Sequence, residues 1–119
     1  MVPAALPHIK SGGFKPLAVT SLRRNPSLPD VPTMDESGFP KFEAGSWFGL
    51  LAPAGTQRPV IERLNAAVVS AMREPALRDR YVAQGFDLNP GTPEQFAEFI
   101  AAETVKWSRV VKVAGIKAD

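Results

Sequence analysis

Ser46 and the glycines around it are the first place to look for catalytic chemistry in this sequence. A serine hydrolase of the elbow type needs Gly-x-Ser-x-Gly, but residues 45–49 read Gly-Ser-Trp-Phe-Gly, which does not fit that spacing. The one histidine, His8, lies near the N-terminus. A lone histidine makes neither a metal site nor a base–nucleophile pair, so we predict that it is a surface residue.

Asp35 and Glu36 are adjacent carboxylates, but adjacent positions of a helix do not face each other, which argues against acid–base catalysis. Thr33 and Glu36 have the spacing of a capping box, which explains the carboxylate of Glu36 better. The chain has no cysteine, so thiol nucleophiles, disulfides and thiolate metal sites are excluded. We therefore predict no catalytic residue, no metal site and no cofactor, and a protein that is not an enzyme.

The composition of the chain is that of an ordinary globular protein. Its 119 residues suit about one domain, with 45% hydrophobic and 22% charged residues. The net charge of +2, without a run of like charges, argues against nucleic acid as a partner. No apolar stretch approaches the ~20 residues that span a bilayer. The N-terminus lacks a signal-peptide pattern, which predicts a soluble chain, cytoplasmic if Met1 is the true start.

The spacing of apolar and turn residues predicts an α/β fold with few strands. Residues 14–21 and 47–51 have the composition of short strands, and the second is apolar on both faces, as in a strand buried within a sheet. The composition of residues 86–88 predicts a short edge strand.

Helices are predicted where apolar residues recur at three and four positions between capping signals. A first weak helix covers residues 3–12. Three main helices follow in the second half of the chain. The first is capped by Thr56, has Pro59 in its first turn and ends at Glu74-Pro75. The second starts at that step and ends at Gly85. The third begins at Thr92-Pro93-Glu94-Gln95 and ends at Gly115.

Two stretches carry a resemblance to a known family. Residues 28–38 read Leu-Pro-Asp-Val-Pro-Thr-Met-Asp-Glu-Ser-Gly, and residues 46–56 read Ser-Trp-Phe-Gly-Leu-Leu-Ala-Pro-Ala-Gly-Thr. The chain resembles the C-terminal part of the substrate-binding receptors of tripartite tricarboxylate transporters, the Bug-type receptors. The likeness extends from residues 6–12 to residues 114–117. Complete receptors are far longer, so the resemblance implies a truncated chain, a fragment of a two-lobed periplasmic-binding-protein-like fold.

This resemblance implies a non-enzymatic receptor for small carboxylated solutes, located in the periplasm and working with the membrane subunits of the transporter. It also implies an organisation in two parts. Residues 1–43 correspond to a remnant of the second lobe and the crossover, and residues 44–119 to the C-terminal part of the first lobe. The truncation leaves open whether ligand binding is lost or is rebuilt across an oligomer.

Ser46, Trp47 and Phe48 are the candidate ligand-binding residues, as part of a ligand cleft or a hinge. The resemblance places residues 44–46 at the crossover between the lobes and returns the chain to the first lobe from Trp47 onwards. The alternative is that Trp47 and Phe48 belong to the core, one on each face of a buried strand. The flanking glycines, Gly45 and Gly49, suit either a hinge or a close backbone approach.

Lone strands leave backbone donors and acceptors unpaired, and a two-stranded unit is marginal by itself. We therefore expect a homo-oligomer, in which residues 47–51 pair with a second copy or an element is exchanged between copies. The alternative function is a small dimerising interaction or regulatory module derived from the receptor fold.

Overall fold

The structure, a computed structural model, describes residues 1–117, and four helices account for its regular secondary structure. They are α1 (Val2–Lys10), α2 (Arg58–Arg73), α3 (Pro75–Ala83) and α4 (Pro93–Ala114). Helix α2 contacts both α3 and α4. The weak first helix and the three main helices of the prediction are thus confirmed. Within residues 1–117, none of the helices is long and apolar enough to cross a bilayer.

The ends of α4 are the best predicted boundaries of the fold. The Thr92 hydroxyl accepts from the amide of Gln95 at 3.2 Å, and the Gln95 side chain accepts from the amide of Thr92 at 2.9 Å. This reciprocal capping box leaves fewer helix amides without an acceptor. Gly115 closes the helix in the left-handed conformation, at φ 64°.

The start of α2 differs from the prediction. Gln57 is the N-cap residue of α2, without a side-chain capping bond. The Thr56 hydroxyl instead donates to the carbonyl of Pro53 at 2.8 Å. The prediction that Thr56 caps α2 is therefore wrong, because a turn at residues 53–56 takes up its hydroxyl. The predicted break is confirmed: Glu74 is extended, at φ −63° and ψ 120°, as expected for a residue before proline.

The predicted strands do not form over the described part of the chain. Residues 14–21 contribute only a single parallel bridge, between Val19 and Thr33. Residues 47–51 and 86–88 have no regular structure. A strand is defined by the partner that it pairs with, and residues 1–117 offer these segments no second strand. Strand-forming composition alone therefore overestimated the sheet.

The core is small and lies where α1 meets the segment of residues 19–33 and the end of α3. Its buried apolar side chains are Leu6, Val19 and Val31, and Asn25 and Thr33 are its buried polar ones. The apolar stripes of the three later helices are not buried: none of the residues of α2, α3 and α4 falls in the buried class. Within residues 1–117, the apolar sides of these helices therefore lack a second layer to pack against.

The chain is therefore more open than a folded monomer of its size. Its Cα radius of gyration is 17.0 Å, whereas about 13.5 Å is typical of a compact domain of this length. Its accessible surface is 9505 Å², against roughly 6,300 Å² for a compact monomer of this mass. Both comparisons indicate a large surface that the chain does not bury within itself.

The turn at residues 33–36 has the capping geometry that the sequence predicts. The Thr33 hydroxyl accepts from the amide of Glu36 at 3.0 Å, and the Glu36 carboxylate accepts from the amide of Thr33 at 2.8 Å. Arg24 also donates to that carboxylate at 3.0 Å. The hydrogen bond from the Thr33 amide, followed by the one from Arg24, lowers the pKa of Glu36 below its ordinary value.

We expect the turn to weaken in acid. Because the pKa of Glu36 is lowered in the folded chain, its contribution to stability is fully present above the ordinary value of 4.5 and is lost as the pH falls through the lower folded value. The free energy of unfolding should be measured with urea at a series of acidic pH values, for the natural chain and for Glu36→Gln. The difference between the two should shrink as the pH falls; a constant difference would contradict the assignment.

Candidate functional site

The segment of residues 45–52, which contains the predicted site, follows the last backbone hydrogen bond of the N-terminal part of the chain. That bond is donated by the amide of Ala44 to the carbonyl of Thr20, at 3.0 Å. Across residues 1–117, no hydrogen bond involves the backbone or side chains of residues 45–52. Ser46 is exposed, so its hydroxyl and amide face solvent, where a ligand can reach them.

Trp47 is held against the N-terminal half of α4 by aromatic packing. Its indole meets Phe96 edge to face with ring centroids 5.6 Å apart, and Phe99 in the same way at 5.3 Å. Phe96 and Phe99 in turn stack at 6.4 Å. Edge-to-face pairs of this kind stabilise beyond the area that they bury. Trp47 nevertheless remains 43% exposed, so it is both packed and accessible.

Gly49 continues the same contact two residues later. A Cβ atom built on Gly49 would overlap the ring of Phe96, with Cε1 at 2.7 Å and Cε2 at 2.9 Å. The backbone of Gly49 therefore lies directly on that ring, and only glycine permits the approach. Trp47 and Gly49 thus meet the same residue of α4 at a spacing of two, which is the alternation of an extended strand.

Phe48 lies in another environment. Its ring is 6.2 Å from that of Phe86, which packs against Tyr81 at 5.6 Å. Phe48 is still 74% exposed, and Leu50 and Leu51 are each 77% exposed. Within residues 1–117, Trp47 and Phe48 are therefore not buried as core residues on two faces of a strand.

The structure thus places the three predicted site residues side by side on one exposed segment, residues 45–52. Trp47 and Phe48 present apolar surface at this segment. Ser46 supplies a hydroxyl and a backbone amide, which are donors suited to a carboxylate. A nucleophile–base pair is not formed at this segment, since Ser46 makes no hydrogen bond within residues 1–117.

Sequence reasoning missed the joint that connects the N-terminal part of the chain to the end of α3. The buried side chain of Asn25 donates to the carbonyl of Gly85 at 3.0 Å, and the Ser27 hydroxyl donates to the carbonyl of Val82 at 2.5 Å. Arg23 adds an exposed ion pair with Asp87 at 3.5 Å, which contributes little. The only available signal was an Asn and a Ser flanking a proline, which is also common in ordinary loops.

A groove of about 510 Å³ lies elsewhere, between α2 and the start of α4. Its polar lining is largely engaged already: Asn65 donates to the carbonyl of Gly91 at 2.8 Å, and Thr92 and Gln95 bond to each other. We therefore do not assign a binding role to this groove.

Within residues 1–117, the titratable side chains form no metal-binding cluster. Among the residues described, no group of three or more His, Cys, Asp or Glu side chains could hold a metal ion. His8 is exposed, and its ring lies 4.9 Å from that of Phe14, so it is the surface histidine that the sequence predicts.

Comparison with known proteins relates the whole chain to one group. The model of the tripartite tricarboxylate transporter family receptor matches residues 1–116. Protein BugT of Bordetella pertussis is 40% identical over 116 residues, which is 98% of this chain and 36% of BugT. The chain therefore spans about a third of the length of this relative.

Solved structures give the same result at the level of the fold. R. palustris Rpa4515 with adipate matches 97% of this chain at 34% identity and a TM-score of 0.81, while this chain covers 38% of it. MatC (Rpa3494) from Rhodopseudomonas palustris with bound malate matches 92% at 36% identity and a TM-score of 0.72, again with 38% of its own length covered. The four helices and the segment of residues 45–52 thus correspond to part of a larger α/β binding-protein fold.

Proposed function

Since this chain belongs to the tripartite tricarboxylate transporter receptor family, whose members are receptors and not enzymes, we propose that it forms part of a periplasmic solute receptor for small carboxylated molecules. Such a receptor would present its ligand to the membrane subunits of the transporter. The observation that carries the proposal is the match to two structures of R. palustris proteins, one with adipate and one with malate. Both ligands are small dicarboxylates.

The proposed ligand-binding residues of this chain are Ser46, Trp47 and Phe48. They lie at the proposed crossover between a second-lobe part, residues 1–43, and a first-lobe part, residues 44–119. The hydroxyl and amide of Ser46 would donate to a ligand carboxylate, since hydrogen bonds to ionised acceptors are the stronger ones. The half-exposed ring of Trp47 and the exposed ring of Phe48 would pack against the ligand's methylene groups.

A chimera tests this proposal in the context of a complete receptor. The part of Rpa4515 that this chain matches is replaced by this chain, and adipate binding is measured by calorimetry. We expect the chimera to bind adipate, and Ser46→Ala to weaken binding about tenfold, the effect of losing one hydrogen bond to a charged group. The neutral diamide of adipate should bind much more weakly than adipate itself.

Ser70→Ala is the matched control, because Ser70 is an exposed serine of α2 that is remote from residues 45–52 in sequence. It should leave the affinity for adipate unchanged. A chimera that folds cooperatively but binds neither adipate nor malate would overturn the proposed function. If Ser46→Ala and Ser70→Ala bind adipate with equal affinity, the assignment of Ser46 as a binding residue would be wrong, while the proposed function would stand.

A further inference from the structure

The joint between residues 19–33 and the end of α3 centres on the side-chain amide of Asn25, a residue that is only 8% exposed. The oxygen of this amide accepts from the backbone amide of Ser27 at 2.9 Å, and its nitrogen donates to the carbonyl of Gly85 at 3.0 Å. The Ser27 hydroxyl donates to the carbonyl of Val82. Moving the two sides apart would leave a buried polar group without a partner, which is costly. The joint therefore resists displacement.

Close packing acts at the same place. A Cβ atom on Gly85 would lie 3.0 Å from Cγ1 of Val2 and 3.3 Å from Cδ2 of Leu6, so the backbone at the end of α3 lies against α1. Leu6 is 3% exposed and belongs to the small core. Hydrogen bonds and apolar contacts thus hold the N-terminal part of the chain on the end of α3 together.

One side of the joint leads to Ser46. Residues 19–33 form a loop that a single parallel bridge closes at its ends. Within this loop, the carbonyl of Thr20 accepts from the amide of Ala44 at 3.0 Å. Ser46 follows Ala44 by two residues. The loop that takes part in the joint therefore also holds the start of the candidate site.

The other side of the joint leads to Phe48. Phe86 directly follows Gly85, and the amide of Phe86 donates to the carbonyl of Tyr81 in α3 at 3.1 Å. The ring of Phe86 lies 5.6 Å from that of Tyr81 and 6.2 Å from that of Phe48. The end of α3 thus holds the aromatic neighbour of Phe48. The joint connects the two supports of the candidate site.

We propose that Asn25 and Ser27 are positioning residues for the candidate site. They do not touch the ligand. By holding residues 19–33 on the end of α3, they fix the donors of Ser46 relative to the ring of Phe48. A site whose groups are already in place loses less freedom when a ligand binds, so its affinity is higher. This inference rests on the proposed function, in which Ser46 and Phe48 contact a dicarboxylate.

A measurement without ligand tests the joint first. The chain has no cysteine, so Lys10→Cys on α1 and Glu98→Cys on α4 give two unique sites for spin labels, at exposed positions. Pulsed electron paramagnetic resonance then measures the distribution of distances between the two labels. We expect a narrow distribution, which Ser27→Ala and Asn25→Asp both widen, since each removes a donor to a carbonyl at the end of α3.

Each of these two variants has a matched control. Ser11→Ala removes a hydroxyl that donates to the carbonyl of His8, and Asn65→Asp removes a side-chain amide that donates to the carbonyl of Gly91. Neither of these hydrogen bonds crosses the joint. Both controls should therefore keep the narrow distribution.

Ser27→Ala is the variant for ligand binding, because it is mild: the carbonyl of Val82 keeps the amide of Gly85 as a donor at 2.8 Å. In the chimera with Rpa4515, it should weaken adipate binding about fivefold, a typical effect for a residue that acts on a site without touching its ligand. In the Ser46→Ala chimera, the same change should have little further effect, because Ser27 acts through Ser46. Ser11→Ala should not change the affinity.

The proposal is wrong if Ser27→Ala and Asn25→Asp leave the distance distribution as narrow as the two controls do. It is also wrong if the losses of affinity from Ser27→Ala and Ser46→Ala are additive, since Ser27 then acts independently of the site. Failure of the proposed function gives a different result: the chimera without further substitutions binds neither adipate nor malate. A widened distribution would still support the joint as the element that positions Ser46 relative to Phe48.

Discussion

Replacing Gly85 with alanine should destabilise the chain by about 2–4 kcal/mol, because two separate penalties coincide at this position. Gly85 has φ +91°, a conformation that residues with a side chain rarely adopt. An added Cβ would also lie 3.0 Å from Cγ1 of Val2, 3.2 Å from the nitrogen of Pro3 and 3.3 Å from Cδ2 of Leu6. The carbonyl of Gly85 accepts the hydrogen bond from the buried side chain of Asn25, so a shift here would disturb the joint.

Gly38→Ala is the control that separates strain from packing. Gly38 has nearly the same backbone conformation, at φ +95°, but a Cβ there would meet no heavy atom within 4 Å. It should therefore lose only the conformational part, about 1–2 kcal/mol. The measurement is the free energy of unfolding in urea for both variants. Equal losses would mean that the contact of α1 with the end of α3 contributes nothing to stability.

This joint also shows what sequence reasoning could not reach. The left-handed glycine after α3 was predictable, because Gly85 follows the last periodic residue of a helix. The contact of Gly85 with Val2 and Leu6 was not predictable, since it joins positions that are about eighty residues apart in the sequence. Local signals specify how a helix ends, whereas the residues that pack on that end depend on the whole path of the chain.

At Gly85 the sequence missed a contact that the structure shows, whereas at residues 47–51 it predicted burial that the structure does not show. Their composition predicted a buried strand, and composition does report what environment a segment needs. It does not report whether residues 1–117 provide that environment, and here the segment is exposed. The candidate site could likewise be predicted only in part. The sequence identified Ser46, Trp47 and Phe48 as candidates, but the contacts of Trp47 with Phe96 and Phe99 could be found only in the structure. The expectation that residues 47–51 pair with a second copy stays a prediction.

Gly49→Ala should loosen residues 47–51 from α4 and lower the free energy of unfolding by about 1–3 kcal/mol, the usual effect of overpacking. The added methyl group would overlap the Phe96 ring. That ring is confined by Trp47 on one side and Phe99 on another, with centroids 5.6 Å and 6.4 Å away. It therefore has little room to yield, and the segment must move instead. Urea unfolding followed by tryptophan fluorescence would measure the loss.

Two further variants show whether the loss comes from this contact. Gly45→Ala lies in the same segment, where an added Cβ meets nothing within 4 Å, so it should be neutral or stabilise by up to about 1 kcal/mol through the unfolded state. Phe96→Leu removes the ring that the new methyl group would strike. If the overlap is the cause, the double variant Gly49→Ala, Phe96→Leu should lose less than the sum of the single losses. Additive losses would instead mean that Gly49 matters for a reason other than its contact with Phe96, and the docking of residues 47–51 on α4 would lose its main support.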